Sequence, residues 1–246
     1  MSFSEMFFMW PLTAGLYAGS LLSHSFRKEL AAMAMLCAGF AANTLFLMGR
    51  IRYLDVLTPL NMVTETYFLP WCLALLSGMI GVLEKDKKTV LPGIFPIAFF
   101  SLAALFIPVK VNPPSPQHDA FLAPFFFISE AMAHACFVLG GWLAFIGIVK
   151  RIEIPIFNKI IVWGFVLYSI AQVLGAIWAY LGWGAPFNWS ERHLQSTALW
   201  CFYAAYLHLH FSSKWSPEKI MRFAAIGPVI VLLFSYSYYH CCPNVS

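Results

Sequence analysis

The sequence predicts an all-α protein, a polytopic membrane bundle of about eight transmembrane helices. Three observations predict it. Of 246 residues, 61% are hydrophobic and 11% charged, where a soluble domain carries roughly a quarter charged residues. Apolar runs of about 20 residues, the length that crosses a bilayer, recur along the whole chain. The basic residues sit in the short connections between those runs. No polar stretch is long enough for a separate soluble domain, so residues 1–246 are expected to form a single transmembrane domain. The formal charge of +4 therefore points to lipid head groups and not to nucleic acid.

Taken in order, the runs lie near 5–23, 29–48, 61–83, 90–109, 121–149, 155–181, 196–213 and 219–240. Pro11 either kinks the first or marks its true start. No Lys or Arg precedes that run, which argues against a cleaved signal peptide. The connections after spans one, three, five and seven hold eleven basic residues, and the opposite side holds four, Arg50, Arg52, Lys110 and Arg192. Cytoplasmic loops carry the excess of Lys and Arg, so both termini are expected on the extracytoplasmic face. The Pro-rich connection 110–120 is expected to be extended and exposed.

Motifs for several chemistries are missing. There is no GxGxxG, GxxxxGK[ST] or HExxH. The six cysteines form neither CxxC nor CxxCH, which leaves a zinc finger, an iron–sulfur cluster and a covalently attached haem without support. Cys37, Cys72, Cys136 and Cys201 read as small hydrophobes within spans. The adjacent Cys241 and Cys242 make a poor disulfide pair, because neighbouring cysteines bridge only with strain. Asn188-Trp189-Ser190 fits a glycosylation sequon but carries little weight alone.

The stretch Gly175–His210, GAIWAYLGWGAPFNWSERHLQSTALWCFYAAYLHLH, is unlike the rest. It holds four of the nine tryptophans and three of the seven histidines. Its polar middle, residues 182–195, forms an extracytoplasmic tryptophan-rich segment between two apolar runs. Tryptophans gather at any membrane boundary, and they also floor sites for flat ligands; both readings fit the composition. The segment resembles the cytochrome c assembly family of haem-handling membrane proteins (the CcsA/CcmC type), whose pattern is roughly WGxxWxWDPKE followed by a helix ending in YLH. Trp183 and Gly184 fall on the first WG, Trp189 on the last tryptophan, and Tyr206-Leu207-His208 on YLH. Phe187 stands at the middle tryptophan, Ser190 at the aspartate, Glu191 at the proline, Arg192 at the lysine and His193 at the glutamate. The aromatic scaffold is kept and the charged half rewritten. That rewriting is expected to remove the paired charges that fix the segment, since Glu191 and Arg192 point about 100° apart on a helix. A second stretch, Pro59–Trp71, is similar to the family's PLSNLYESLxFLSW, with Pro59, Leu60, Glu65 and Trp71 recognisable, Asn61 one place early and the stretch one residue short. Glu65 is a candidate to cap a helix, to pair with Arg50 or Arg52, or to order a ligand pocket.

Imidazole is a good axial ligand for haem iron, and ionisable groups within spans occupy protected positions. The resemblance implies that His208 ligates haem at an inner site. His134, reckoned at nearly the same depth in span five, and His24, closing span one, are candidate partners, and a partner elsewhere stays open. His134 follows Glu130 by one turn, which puts the two on one helix face. His210 is a weaker candidate, because it faces another direction from His208. The family also flanks the tryptophan segment with two histidines. His240 matches the closing one; the opening one would fall near Phe125, where no histidine stands. His118 and His193 are the candidate substitutes; otherwise the outer site is five-coordinate, rebuilt or lost.

The resemblance implies one or two haem b groups held without covalent attachment, oriented on Trp183, Phe187 and Trp189. The function it implies is haem handling or presentation at the extracytoplasmic face for cytochrome c biogenesis. The implied partners are other membrane or extracytoplasmic subunits, among them a c-type cytochrome or apocytochrome, and lipid. The rival is a b-haem subunit passing electrons between quinol and a peripheral enzyme, and a haem-free membrane anchor is a third reading. The expected location is the inner membrane of a prokaryote or the equivalent organelle membrane.

Overall fold

A computed structural model describes residues 3–54, 62–83, 91–106, 121–152, 154, 156–187, 189–212 and 214–236. Among these, every regular element is helical: α1 (Phe3–Ser25), α2 (Glu29–Leu54), α3 (Met62–Leu83), α4 (Ile94–Ala103), α5 (Leu122–Lys150), α6 (Ile156–Trp183), α7 (Glu191–Phe211) and α8 (Pro217–Tyr236). Each falls on one of the eight apolar runs. By length and hydropathy alone, Glu29–Arg52, Leu122–Lys150 and Ile156–Trp183 can cross a membrane. The chain is thus an all-α, multi-pass membrane protein.

Three boundaries differ from expectation, each for a local reason. Helix α1 runs through Pro11 from Phe3, so Pro11 does not mark its start. The run near 90–109 is a 10-residue α-helix flanked by 3-10 turns at Leu91–Gly93 and Ala104–Phe106. Pro92 and Pro96 supply no N–H to an α-helical ladder there. Because 3-10 residues rise about 2.0 Å, the whole stretch still reaches about 27 Å. Helix α7 starts at Glu191, ahead of the expected residue 196. An acid in its first turn suits the positive end of the helix dipole.

The residues form two compact units, Met1–Ala120 and Phe121–Ser246. In the first, α1 packs on α2 and α4, and α3 on α4 and α2. The turn between α1 and α2 closes through Arg27 in the left-handed region (φ 59°), with Lys28 N–H donating to the Ser23 carbonyl at 2.9 Å. The aromatic core holds Trp10 against Phe46 and edge-on to Tyr67. Arg50 is buried, its guanidinium 5.5 Å from the Tyr67 ring and 6.0 Å from that of Phe46, contacts that favour a cation over an aromatic face. The Glu65 side chain, the expected partner of Arg50 or Arg52, lies outside the described residues. Trp71 donates its indole N–H to Thr44 Oγ1 at 2.9 Å and stacks between Phe40 and Phe68.

In the second unit α5 is the most buried helix, with α6 and α8 packed on it and α7 against α6 and α8. Gly140 and Gly141 permit those approaches, as small residues do between membrane helices. A Cβ at Gly140 would lie 3.2 Å from the Phe157 carbonyl on α6, and one at Gly141 would lie 2.8 Å from the Ala224 carbonyl on α8. Helix α7 is tied in by aromatic stacking, Tyr203 on Phe137 of α5 and Phe202 on Phe223 of α8. The Tyr206 hydroxyl donates to the Asn158 side chain of α6.

Candidate functional site

The tryptophan-rich segment begins where α6 ends. Gly184 adopts φ +75°, a conformation glycine takes without steric cost, and its N–H donates to the Tyr180 carbonyl at 2.8 Å. Just before this turn, on the last turns of α6, Trp183 meets Trp178 edge-on at 5.4 Å. Trp178 is buried against Phe126 and Phe127 of α5 and so anchors the segment. Trp183, Phe187 and Trp189 form its exposed rim, with Trp189 83% exposed. Phe187 packs edge-on to Trp189 at 5.5 Å and to His193 at 5.3 Å. Three ring faces are thus presented outward on a segment anchored beneath, an arrangement able to hold a flat ligand or a partner's apolar surface.

Ser190 is the N-cap residue of α7, yet its side chain caps no backbone N–H. Its Oγ lies 2.8 Å from Nδ1 of His193 instead. Burial first, and then the charge of Arg192, hold the His193 imidazole below its ordinary range. A lowered histidine pKa means the unfolded chain binds the proton more readily, so the segment's stability is retained at neutral pH and falls as pH drops below about 6.5. Trp189 fluorescence should report a loosening on acidification in that window, and His193→Gln should abolish it. A transition that persists in the variant assigns it to another group.

The charge pairing of the segment takes a form the sequence reading did not anticipate. Arg192 Nη2 lies 3.1 Å from Glu130 Oε2 on α5, with side chains 34% and 3% exposed. Its guanidinium also sits 5.5 Å over the Phe126 ring and 5.7 Å over that of Phe127. Glu191 meanwhile accepts from Gln195 Nε2 at 3.0 Å. Glu191 and Arg192 do not pair with each other, as expected, but the segment keeps a charge anchor, reaching across to α5. The sequence held a signal for this: an acid buried in an apolar span needs a cation, and the segment offers Arg192.

His134 lies one turn below Glu130 and is buried. Its ring packs 5.6 Å from that of Tyr168 on α6, whose hydroxyl donates to the Ser196 carbonyl on α7 at 3.3 Å. Glu130, Arg192, His134 and Tyr168 therefore form a polar column through the upper half of this unit. Two contacts fix the register of α5 against α7, Phe126 with Arg192 and Phe137 with Tyr203. They set His134 level with Trp200, roughly eight residues or about 12 Å above His208. The near-equal depth of the two histidines is thereby corrected. The cause is the early start of α7, which lowers His208 to about 26 Å below Glu191.

His208 is exposed on α7. It shares a face with Thr197, Cys201 and Ala205, all exposed. The exposed face of α6 differs, carrying Trp163, Val166, Ile170, Val173 and Ile177, the bulky apolar side chains that lipid favours. Above His208 that face is built of small side chains, with the exposed Phe211 one turn below it, so a covering cofactor or helix can approach closely there. One turn above His208 stand only Ala204 and Ala205, and Trp200, two turns above, is held toward α6 by its bond to Ser169, so the imidazole is open to a ligand from that side. His210 is half-buried and stacks on Tyr206, with its Nδ1 unpartnered. His24 ends α1 with its Nδ1 buried and unpartnered. Among the described residues no group of three or more His, Cys, Asp or Glu could hold a bare metal ion. His118, His240, Asn188 and the Cys241–Cys242 pair lie outside the described residues.

Known proteins resemble this chain in part. Residues 150–240 match the family model described as "Cytochrome C assembly protein". The cytochrome c biogenesis protein CcsA of Prochlorococcus marinus strain MIT 9515 is 39% identical over 70 residues, 28% of this chain and 22% of the relative. The protein of the same description from strain AS9601 is 37% identical over 70 residues, 28% of this chain and 23% of the relative. The aligned stretch thus spans less than a quarter of either relative's length. With the multi-pass helices, these matches support a prokaryotic inner-membrane location. Residues 150–240, the part that carries the tryptophan-rich segment and His208, match the cytochrome c assembly protein family by its model, and curated cytochrome c biogenesis proteins match the chain over 70 residues.

Proposed function

We propose that the chain holds haem b without covalent attachment and handles or presents it at the extracytoplasmic face for cytochrome c biogenesis. The observation that carries this reading is the coincidence of the family match with an exposed His208, on a face of α7 whose side chains above it are small enough to admit a cofactor. His208 would ligate the iron at an inner site, with a second ligand from His24 or from another subunit, since His134 lies too high to share that iron. At the outer face, Trp183, Phe187 and Trp189 would receive the flat ring, with His240 and either His118 or His193 as candidate ligands. Bound haem b supplies a redox-active iron and vinyl groups that an apocytochrome's thiols can take up. The chain's own residues do the positioning: Arg192 and Glu130 hold the segment on α5, and Trp178 supports its rim. The implied partners are a c-type cytochrome or apocytochrome and other membrane subunits. The extracytoplasmic placement of both termini and of the segment rests on the basic-residue asymmetry. Labelling of cysteines placed at Lys87 and Gln117 tests it, with Lys87 expected on the cytoplasmic side; a cytoplasmic Gln117 would reverse the assignment of every site to its face.

Two features favour the rival, a b-haem subunit exchanging electrons with quinol. The charged half of the motif is rewritten, and Phe125 stands, half-exposed, where the family opens its outer site with a histidine. Redox titration of the purified protein with a quinol analogue separates the two readings. A relay leaves the quinol unconsumed, and sustained turnover supports the rival. Pyridine haemochrome quantification on His240→Ala settles the outer site, where a lower haem content per chain is expected and an unchanged one means that His240 holds none.

A further inference from the structure

The first unit carries a feature that haem handling does not use. Between α2 and α3 lies an apolar groove of about 480 Å³, lined on α2 by Met33, Cys37 and Phe40 and on α3 by Ala74, Gly78 and Leu83. From Ala74 to Leu83 the groove runs about 14 Å, close to the roughly 15 Å of hydrocarbon in one leaflet. Its upper end is closed by aromatic rings, because Phe40 stacks on Trp71 and Trp71 is held by its bond to Thr44. Its lower end on α2, Met33, lies about one helical turn beyond Glu29 and the turn between α1 and α2, where Arg27 and Lys28 are exposed. Phe26 and Leu30 are exposed there too, as in a turn seated at a membrane surface. The left-handed backbone at Arg27 holds this basic turn in one closed conformation. In sequence, the connection leaving Leu83 adds Lys85, Lys87 and Lys88 against Glu84 and Asp86.

We propose that the α2–α3 groove is a binding site for one anionic phospholipid, its acyl chain lying along the groove and its phosphate at Arg27 and Lys28. The one-leaflet length, the closed upper end and the basic turn near the lower end each fit that occupant. Van der Waals packing along the groove walls favours the bound chain, and basic residues near the surface favour anionic over zwitterionic head groups.

Gly78 provides the test. A Cβ at Gly78 meets nothing within 4 Å, and the same holds at Gly15 on α1, which does not line the groove. Gly78→Phe therefore fills the groove without a backbone clash, and Gly15→Phe is the matched control. The full chain is purified in mild detergent, retained lipid is measured by native mass spectrometry, and thermal stabilisation is measured on adding dioleoylphosphatidylglycerol or dioleoylphosphatidylcholine. The expected result is one retained anionic phospholipid per chain in the wild type and in Gly15→Phe. Gly78→Phe should lose it and bind the added phosphatidylglycerol about tenfold more weakly. The double variant Arg27→Gln/Lys28→Gln, which leaves the groove intact, should lose the preference for phosphatidylglycerol while still responding to phosphatidylcholine. Equal lipid retention in Gly78→Phe and Gly15→Phe overturns the proposal, as does an unchanged head-group preference in the double variant. Release of a quinone or dissociation of a second copy on filling the groove overturns it as well.

Discussion

Replacing Arg192 with alanine should destabilise the second unit by about 2–3 kcal/mol and free the tryptophan-rich segment. Removing one partner of a fully buried ion pair costs about 3–5 kcal/mol, because the other charge is left without compensation. Arg192 keeps a third of its side chain exposed while Glu130 keeps almost none, which places this pair somewhat below that range. The contacts of the guanidinium with Phe126 and Phe127 go with it. The damage should appear as a lower unfolding temperature and a red shift in tryptophan emission, since Trp178 and Trp183 depend on the docked segment. Glu130→Gln in the same background should recover part of the loss by removing the stranded charge. Additive effects of the two substitutions would show that they do not act as a pair. Arg192→Lys should retain the charge but lose the planar stacking, and fall between wild type and alanine.

The helices were legible in the sequence because spans announce themselves by length and composition, and all eight runs became helices. What the sequence concealed was register. A count of residues from an assumed span start put His134 and His208 at one depth. Helix α7 in fact begins at Glu191, and the Phe137–Tyr203 stack fixes an offset that no single-helix pattern encodes. The Glu130–Arg192 pair was half visible: Glu130 and His134 share a face by spacing alone, but a partner 62 positions away is chosen by tertiary packing. The motif located the aromatic rim, because Trp183, Phe187 and Trp189 hold register with the family. It could not reveal that Trp178, outside the pattern, is the buried residue carrying that rim. Nor could apolar content distinguish the bulky exposed face of α6 from the small side chains above His208.

The second large effect is expected at His208. If this imidazole is an axial ligand of haem b, His208→Ala should remove most of the inner-site haem, because a ligand bond cannot be replaced by the methyl group of alanine. His210→Ala should leave the spectrum nearly unchanged, since that ring stacks on Tyr206 away from the exposed face. His134→Ala should lower stability through the column with Tyr168 while sparing the haem bound at His208. The variants thus separate ligation from packing. Loss of haem in His134→Ala alone would mean that the polar column, and not the face of α7, holds the iron.

The most direct measurement is pyridine haemochrome quantification on the purified wild-type chain and on His208→Ala, at matched protein and with the reduced Soret and α bands recorded. The account predicts at least one haem b per wild-type chain, and in the variant a large loss of haem or reshaped bands at normal membrane levels. Wild-type protein without haem, or a His208→Ala variant with normal haem content and an unaltered spectrum, would contradict it.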